Sequence, residues 1–210
     1  MTGAEETDAG HMTVLVKNVT ATLTVKNSRF LAELLPCNSQ QDARELLKSQ
    51  KAKYKDAAHV VHAFVVGADA QIRGMSDDGE PSGTAGRPVL DVLCNASCTN
   101  ALLTVTRWFG GTLLGTGGLV KAYGDAAKLA IAAAVENGAF AEFFETRSFS
   151  FSVDYARYEK IKRMMKQFSV SDMRESFGSR VEVSGVIHTD EYDLFATALI
   201  DASGGAIVLF

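Results

Sequence analysis

At 210 residues and 47% apolar content, the chain can form one large or two modest domains with packed cores, and disorder is excluded. Thirteen Lys and Arg stand against eleven Asp and Glu over residues 13–140, and eight against eleven over 141–210, so neither half is a basic nucleic-acid domain by bulk charge. No apolar run approaches the roughly 20 residues of a bilayer span, the first residues lack the regions of a signal peptide, and three cysteines make no disulfide framework, so a cytoplasmic chain with no membrane partner is expected.

Residues 1–12, carrying Glu5, Glu6 and Asp8 and ending Gly10-His11-Met12, read as an expression-tag remnant with the native start near Met12. Residues 14–16 and 20–25 predict a strand or hairpin with Val19, Ala21, Leu23 and Val25 on one face, and Asn27-Ser28 the turn. Phe30, Ala32 and Leu34 continue the alternation to Pro36. Ser39 is an N-cap for a helix through Lys51, with Ala43, Leu46 and Leu47 inward. Lys48, Lys51, Lys53 and Lys55 crowd the far end of that helix, as a dipole-matched solvated end or a phosphate-contacting patch. Residues 59–67 predict a central strand, apolar on both faces except for His62, which is expected to be hydrogen-bonded and half-buried. Residues 71–75 pair next.

Two glycine-studded segments follow. Ser-Asp-Asp-Gly-Glu-Pro-Ser-Gly-Thr-Ala-Gly-Arg-Pro at 76–88 is a loop delivering the chain into a helix over 89–96, with Pro88 in its first turn. Cys94 and Cys98, four apart, are expected to share a face of that helix as small buried hydrophobes, with no metal. A strand over 102–109 leads into Arg-Trp-Phe-Gly-Gly-Thr-Leu-Leu-Gly-Thr-Gly-Gly-Leu-Val-Lys-Ala-Tyr at 107–123, and then an alanine-rich helix runs to Val135 and stops at Asn137-Gly138. A strand, glycine loop and helix start favour a bound anion, with Lys121 as an added cation; glycines that merely hold a turn would look the same.

The pattern resets between residues 139 and 146. Phe149, Phe151 and Val153 mark a strand, and Tyr155, Tyr158, Ile161, Met165 and Phe168 line a helix. A hairpin over 173–188 turns at Gly178-Ser179, Thr189 caps a helix with Tyr192, Phe195, Ala196 and Leu199 inside, and residues 206–210 make a last strand. The order is βαββαβ, the ferredoxin-like arrangement.

The two glycine segments, in this order, resemble the paired signature of the YigZ/Impact family, together with Ala58-His59 and Ala63-Phe64 in the preceding strand. The likeness runs over about 28–135 and more loosely to the end; Trp108 departs from the family's usual tyrosine, and His62 from an apolar or aromatic position. It implies a two-domain α+β protein. The N-terminal domain, 13–138, has a mixed sheet with packed helices resembling the ribosomal-protein, GHMP-kinase and elongation-factor type of fold, and a small ferredoxin-like domain covers 146–210. It further implies a translation-associated regulator whose partner is RNA, the ribosome or a translation-control protein; separately from the resemblance, a monomer without a cofactor is expected. Its binding surface would comprise His59, Asp77, Asp78, Gly79, Glu80, Gly83, Thr84, Gly86 and Arg87 with Arg107, Trp108, Phe109, Gly110, Gly111, Gly115, Gly117, Gly118, Lys121 and Tyr123.

An enzymatic alternative stays open. Asp77, Asp78 and Glu80 put three carboxylates in four positions, enough for acid/base work or for Mg²⁺ against a phosphate or nucleotide. Short acidic residues beside Gly79 equally suit turns and helix starts. In the second domain, Arg157, Lys160, Lys162, Arg163 and Lys166 give one helix a basic side, as a nucleic-acid contact or a solvated face.

Overall fold

The computed structural model describes residues 12–209, so all of the expected tag segment except Met12 lies outside it, as does Phe210. The chain divides into two compact units, one ending at Phe143 and the other beginning at Phe144.

The first unit is built on five strands: β2 (Val19–Val25), β3 (Ser28–Pro36), β4 (His59–Val66), β5 (Ile72–Ser76) and β7 (Ala101–Trp108). They lie in the order β2-β3-β7-β4-β5, antiparallel at every junction. Among the described residues parallel pairing is confined to a small second sheet in which β1 (Thr13–Leu15) lies between β6 (Cys98–Thr99) and β8 (Phe140–Glu142). The strand read as central, β4, is flanked on both sides, but the middle strand is β7, buried along its length up to Trp108.

Helices cover both faces of the main sheet. On one face α2 (Gly86–Asn95) packs on β4 and β5, and α3 (Gly115–Glu136) on β2 and β3. Ala122, Ala126, Ala127, Ala130 and Ala134 are the buried residues that let α3 lie close to the sheet. On the other face α1 (Gln40–Lys53), capped by Ser39 Oγ on the Asp42 amide at 3.1 Å, covers a smaller apolar cluster with Leu35, Phe64 and Leu102.

Three local expectations differ. The first hairpin turns at Lys26-Asn27, both at positive φ (44° and 66°), with Ser28 already paired to Val25; a two-residue loop of this twist matches the twist of its strands. Cys98 is not helical: α2 ends at Asn95, Ser97 takes positive φ, and Cys98 enters β6, where burial pushes its thiol up to about 11. His62 is half-buried, but its Nδ1 has no hydrogen-bond partner in the protein, and burial first and Lys51 second lower its pKa.

In the second unit β9 (Thr146–Val153), α4 (Tyr155–Met165), β10 (Val170–Phe177), β11 (Val181–His188) and α5 (Tyr192–Ser203) form an antiparallel sheet, β10-β11-β9, with two helices on the side of Phe149, Phe151, Val183 and Ile187. Thr189 opens a short 3-10 turn, Thr189–Glu191, instead of capping α5. The expected last strand is not formed over residues 206–209. Gly204 and Gly205 both turn at positive φ, and the Ile207 amide goes back to Ser203 Oγ at 3.3 Å instead of entering a ladder, although Ile207 is buried.

Candidate functional site

The two glycine segments meet at the end of the main sheet, on the α2 and α3 face. His59 opens β4 and is the cross-strand partner of Arg107 near the end of β7, so both side chains leave the same face. Glu80, from the loop before α2, lies between them: its Oε1 accepts from Arg107 Nη1 at 2.6 Å and from the Tyr123 hydroxyl of α3 at 2.7 Å, and stands 3.8 Å from His59 Nε2. Glu80 and Arg107 are buried, at 4% and 7% side-chain exposure. Burial first, then the bond to Glu80, raises the Tyr123 phenol far above its ordinary value, so it remains a donor.

Behind this group Asp78 orders the loop. Its backbone carbonyl takes the His59 Nδ1–H at 2.8 Å, and because a carbonyl only accepts, that proton sits on Nδ1 and Nε2 is left turned toward Glu80. The Asp78 carboxylate takes the Val60 amide at 2.7 Å and the ammonium of Lys51, which ties α1 to the loop.

Above the charged group opens a cleft of about 560 Å³. Its walls are Ala58, Pro81, Phe109, Leu113, Leu114 and Leu119, with Gly115 and Thr116 at the start of α3. Gly115 has a φ of +73°, a conformation that favours glycine, and no side chain caps this helix start. Leu113 is 82% exposed and Phe109 51%, so the rim of the cleft is apolar and open to solvent.

Of the residues expected to form one surface, His59, Glu80, Arg107, Phe109 and Gly115 line the cleft, Tyr123 supports it from below, and Asp78 and Gly79 hold the His59 side. The others do not line it. The Asp77 carboxylate accepts the amides of Gly83, Ala85 and Gly86 at 2.7–3.1 Å and so caps α2 from a distance. Thr84 bonds Pro81 within the same turn. Arg87 and Lys121 are exposed and pair one helical turn along with Asp91 and Asp125. Trp108 points to the opposite sheet face, under the Arg29 guanidinium and against Tyr54, with its indole N–H on Asp56. Gly110 packs against the Lys26-Asn27 hairpin; Gly111 lies in the loop, and Gly117 and Gly118 in the first turn of α3. Leu113 and Leu114 were missed as site residues, although two leucines inside a glycine loop are a visible signal. In the second unit Arg157, Lys160, Lys162 and Arg163 all bond to groups of that unit.

Burial alone would raise the Asp77 carboxyl, but the three amides of Gly83, Gly86 and Ala85 outweigh it and hold its pKa below the ordinary value. Asp77→Ala is therefore expected to cost the first unit about 2 kcal/mol, the upper end for a lost helix cap. A depressed folded pKa gives stability that is complete above the unfolded value, near 3.8, and lost as pH falls through the folded one. Urea unfolding of both proteins from pH 7 to pH 2 checks this: the gap should close in acid.

The Impact N-terminal domain family matches residues 26–131, and a domain of unknown function, DUF1949, matches residues 151–206. An IMPACT family member of Haemophilus influenzae is 31% identical over 88% of this chain and 89% of its own. IMPACT family member YvyE of Bacillus subtilis is 30% identical, over 87% of this chain and 82% of its own. A crystal structure described only as that of a hypothetical protein superposes with a TM-score of 0.70 at 30% identity, covering 95% of this chain and 96% of the other.

Proposed function

We propose, from the premise that this chain belongs to the Impact family, that it is a non-catalytic docking protein of translation control whose cleft beside Glu80 and Arg107 seats an apolar segment of a partner protein. The observation that carries this reading is the rim: Leu113 and Phe109 stand in solvent over an apolar-walled cleft whose buried charges already neutralise each other. Exposed apolar groups around a concave site are the usual mark of a protein contact. The translation setting is the one that the family resemblance implies.

Two other readings draw less support. An RNA backbone would call for free cations at the cleft, yet Arg87 and Lys121 lie outside it and are paired. Magnesium-assisted chemistry on a phosphate would call for open carboxylates, whereas Asp77 caps α2, Asp78 holds Lys51 and the Val60 amide, and Glu80 is buried between Arg107 and Tyr123.

The test is binding to purified ribosomes and to a panel of translation-initiation proteins, by co-sedimentation and titration. Leu113→Ser is expected to weaken binding at least about tenfold, as for an apolar anchor at an interface, while Arg87→Ala and Lys121→Ala change it less than twofold. Salt should have little effect. A steep loss of binding with salt, dependent on Lys and Arg, would assign the surface to RNA instead.

A further inference from the structure

Among the described residues six buried side-chain polar atoms have no hydrogen-bond partner in the protein, and five of them lie on the α1 face of the main sheet, away from the cleft: Glu33 Oε2, Gln50 Oε1, His62 Nδ1, Thr104 Oγ1 and Thr106 Oγ1. The strand register places them together. Thr104 is the direct partner of Glu33 on β3 and of His62 on β4, so three side chains leave one face in a row with Cβ atoms about 5 Å apart. Thr106 stands two residues along β7 on the same face, about 7 Å away. Gln50 comes from α1, which packs on β4 and β7.

Glu33, Gln50, Thr104 and Thr106 are all more than nine-tenths buried, and both threonines are wholly so. A buried polar group without a partner forfeits its hydration with nothing in return, and five in one layer is more than native interiors carry unless something bonds them. Their chemistry defines that guest. Glu33 Oε2 and Gln50 Oε1 only accept; the threonine hydroxyls donate and accept; His62 Nδ1 does either. Lys53 already neutralises the Glu33 carboxylate through Oε1 at 2.9 Å, so no charge is called for. The guest is small, neutral, and both donor and acceptor.

We propose that this layer is an internal hydration site, in which at least two water molecules bridge α1 to β3, β4 and β7. Two is the smallest number that serves five atoms, since a buried water makes about three hydrogen bonds. The waters would fill the polar band between the apolar row Leu35, Leu102 and Phe64 and the Trp108 end of the sheet, so α1 is joined there to its sheet by hydrogen bonds through water instead of by apolar contact.

Thr104→Val and Thr106→Val keep the side-chain shape and remove one anchor each. The full chain carrying either change is expected to melt roughly 2–4 °C lower in the first unit, the shift that one lost buried bond gives at this size. A crystal structure to better than about 1.5 Å should show two or more water peaks within hydrogen-bond distance of the five atoms. An unchanged or raised melting temperature in both variants would overturn the proposal, because deleting a hydroxyl that has no partner at all is neutral or stabilising. So would density showing the five atoms bonded directly to one another, or a guest larger than water.

Discussion

Arg107→Met is expected to destabilise the first unit by about 3–5 kcal/mol, the cost of leaving one member of a buried ion pair uncompensated. The partner left behind is Glu80, whose side chain is 4% exposed and whose Oε1 would keep only the Tyr123 hydroxyl. Packing is not the main loss, because methionine fills much of the arginine stem's volume. The charge is. Two companion variants separate these terms. Glu80→Gln in the Arg107→Met background removes the stranded charge and should recover part of the loss, whereas Glu80→Gln alone leaves Arg107 unpaired and should be costly as well. Urea unfolding at 25 °C, followed by a probe in the first unit, reads all three. A loss below about 1 kcal/mol for Arg107→Met would mean that water reaches Glu80, since exposed pairs contribute no more than that.

Gly110→Ala is expected to cost at least about 3 kcal/mol, the upper range for forcing extra atoms into a packed place. An added Cβ would fall inside the backbone of Asn27 and Ser28, where no side chain can rotate away. That backbone is itself immobile, since Ser28 is locked to Val25 across the two-residue turn and its hydroxyl accepts the Gly110 amide at 3.1 Å. Gly111→Ala is the control. Gly111 has a φ of +84° but open space where a Cβ would go, so alanine there meets only backbone strain of about 1–2 kcal/mol. Thermal and urea unfolding of the two variants should differ sharply; equal effects would show that the hairpin gives way and that Gly110 is not a close-approach position.

These two results bear on how the glycine motif is read. As a sequence the segment at 107–123 looks like one binding loop, and the density of glycine suggests a backbone offered to a ligand. In the fold its glycines divide by what each one touches. Gly110 serves the hairpin beside it, Gly115 turns the chain into α3 at the cleft, and Gly117 and Gly118 belong to the first turn of that helix. The acidic run divides in the same way: neighbours in sequence, Asp77, Asp78 and Glu80 serve a helix cap, a histidine and a buried arginine.

Much of the architecture was legible beforehand because the forces behind it act over a few residues. Alternation in 30–34 and 149–153, the Ser39 cap three residues before the amide whose hydrogen bond it accepts, the Asn137-Gly138 stop and the Gly178-Ser179 hairpin are each decided by side-chain period or local backbone chemistry, and the paired motifs carried the family. The cleft was not legible in that way. Arg107 lies 27 residues and Tyr123 43 residues along the chain from Glu80, so their meeting depends on the β3, β7, β4 register and on α3 lying across the sheet. Arg107 and Trp108, adjacent in the motif, go to opposite faces because side chains alternate along a strand. Residue types, their short-range pattern and the family were settled by the amino-acid order itself; which of those residues share a site was decided only by tertiary pairing, because strand register joins groups that chain proximity keeps apart.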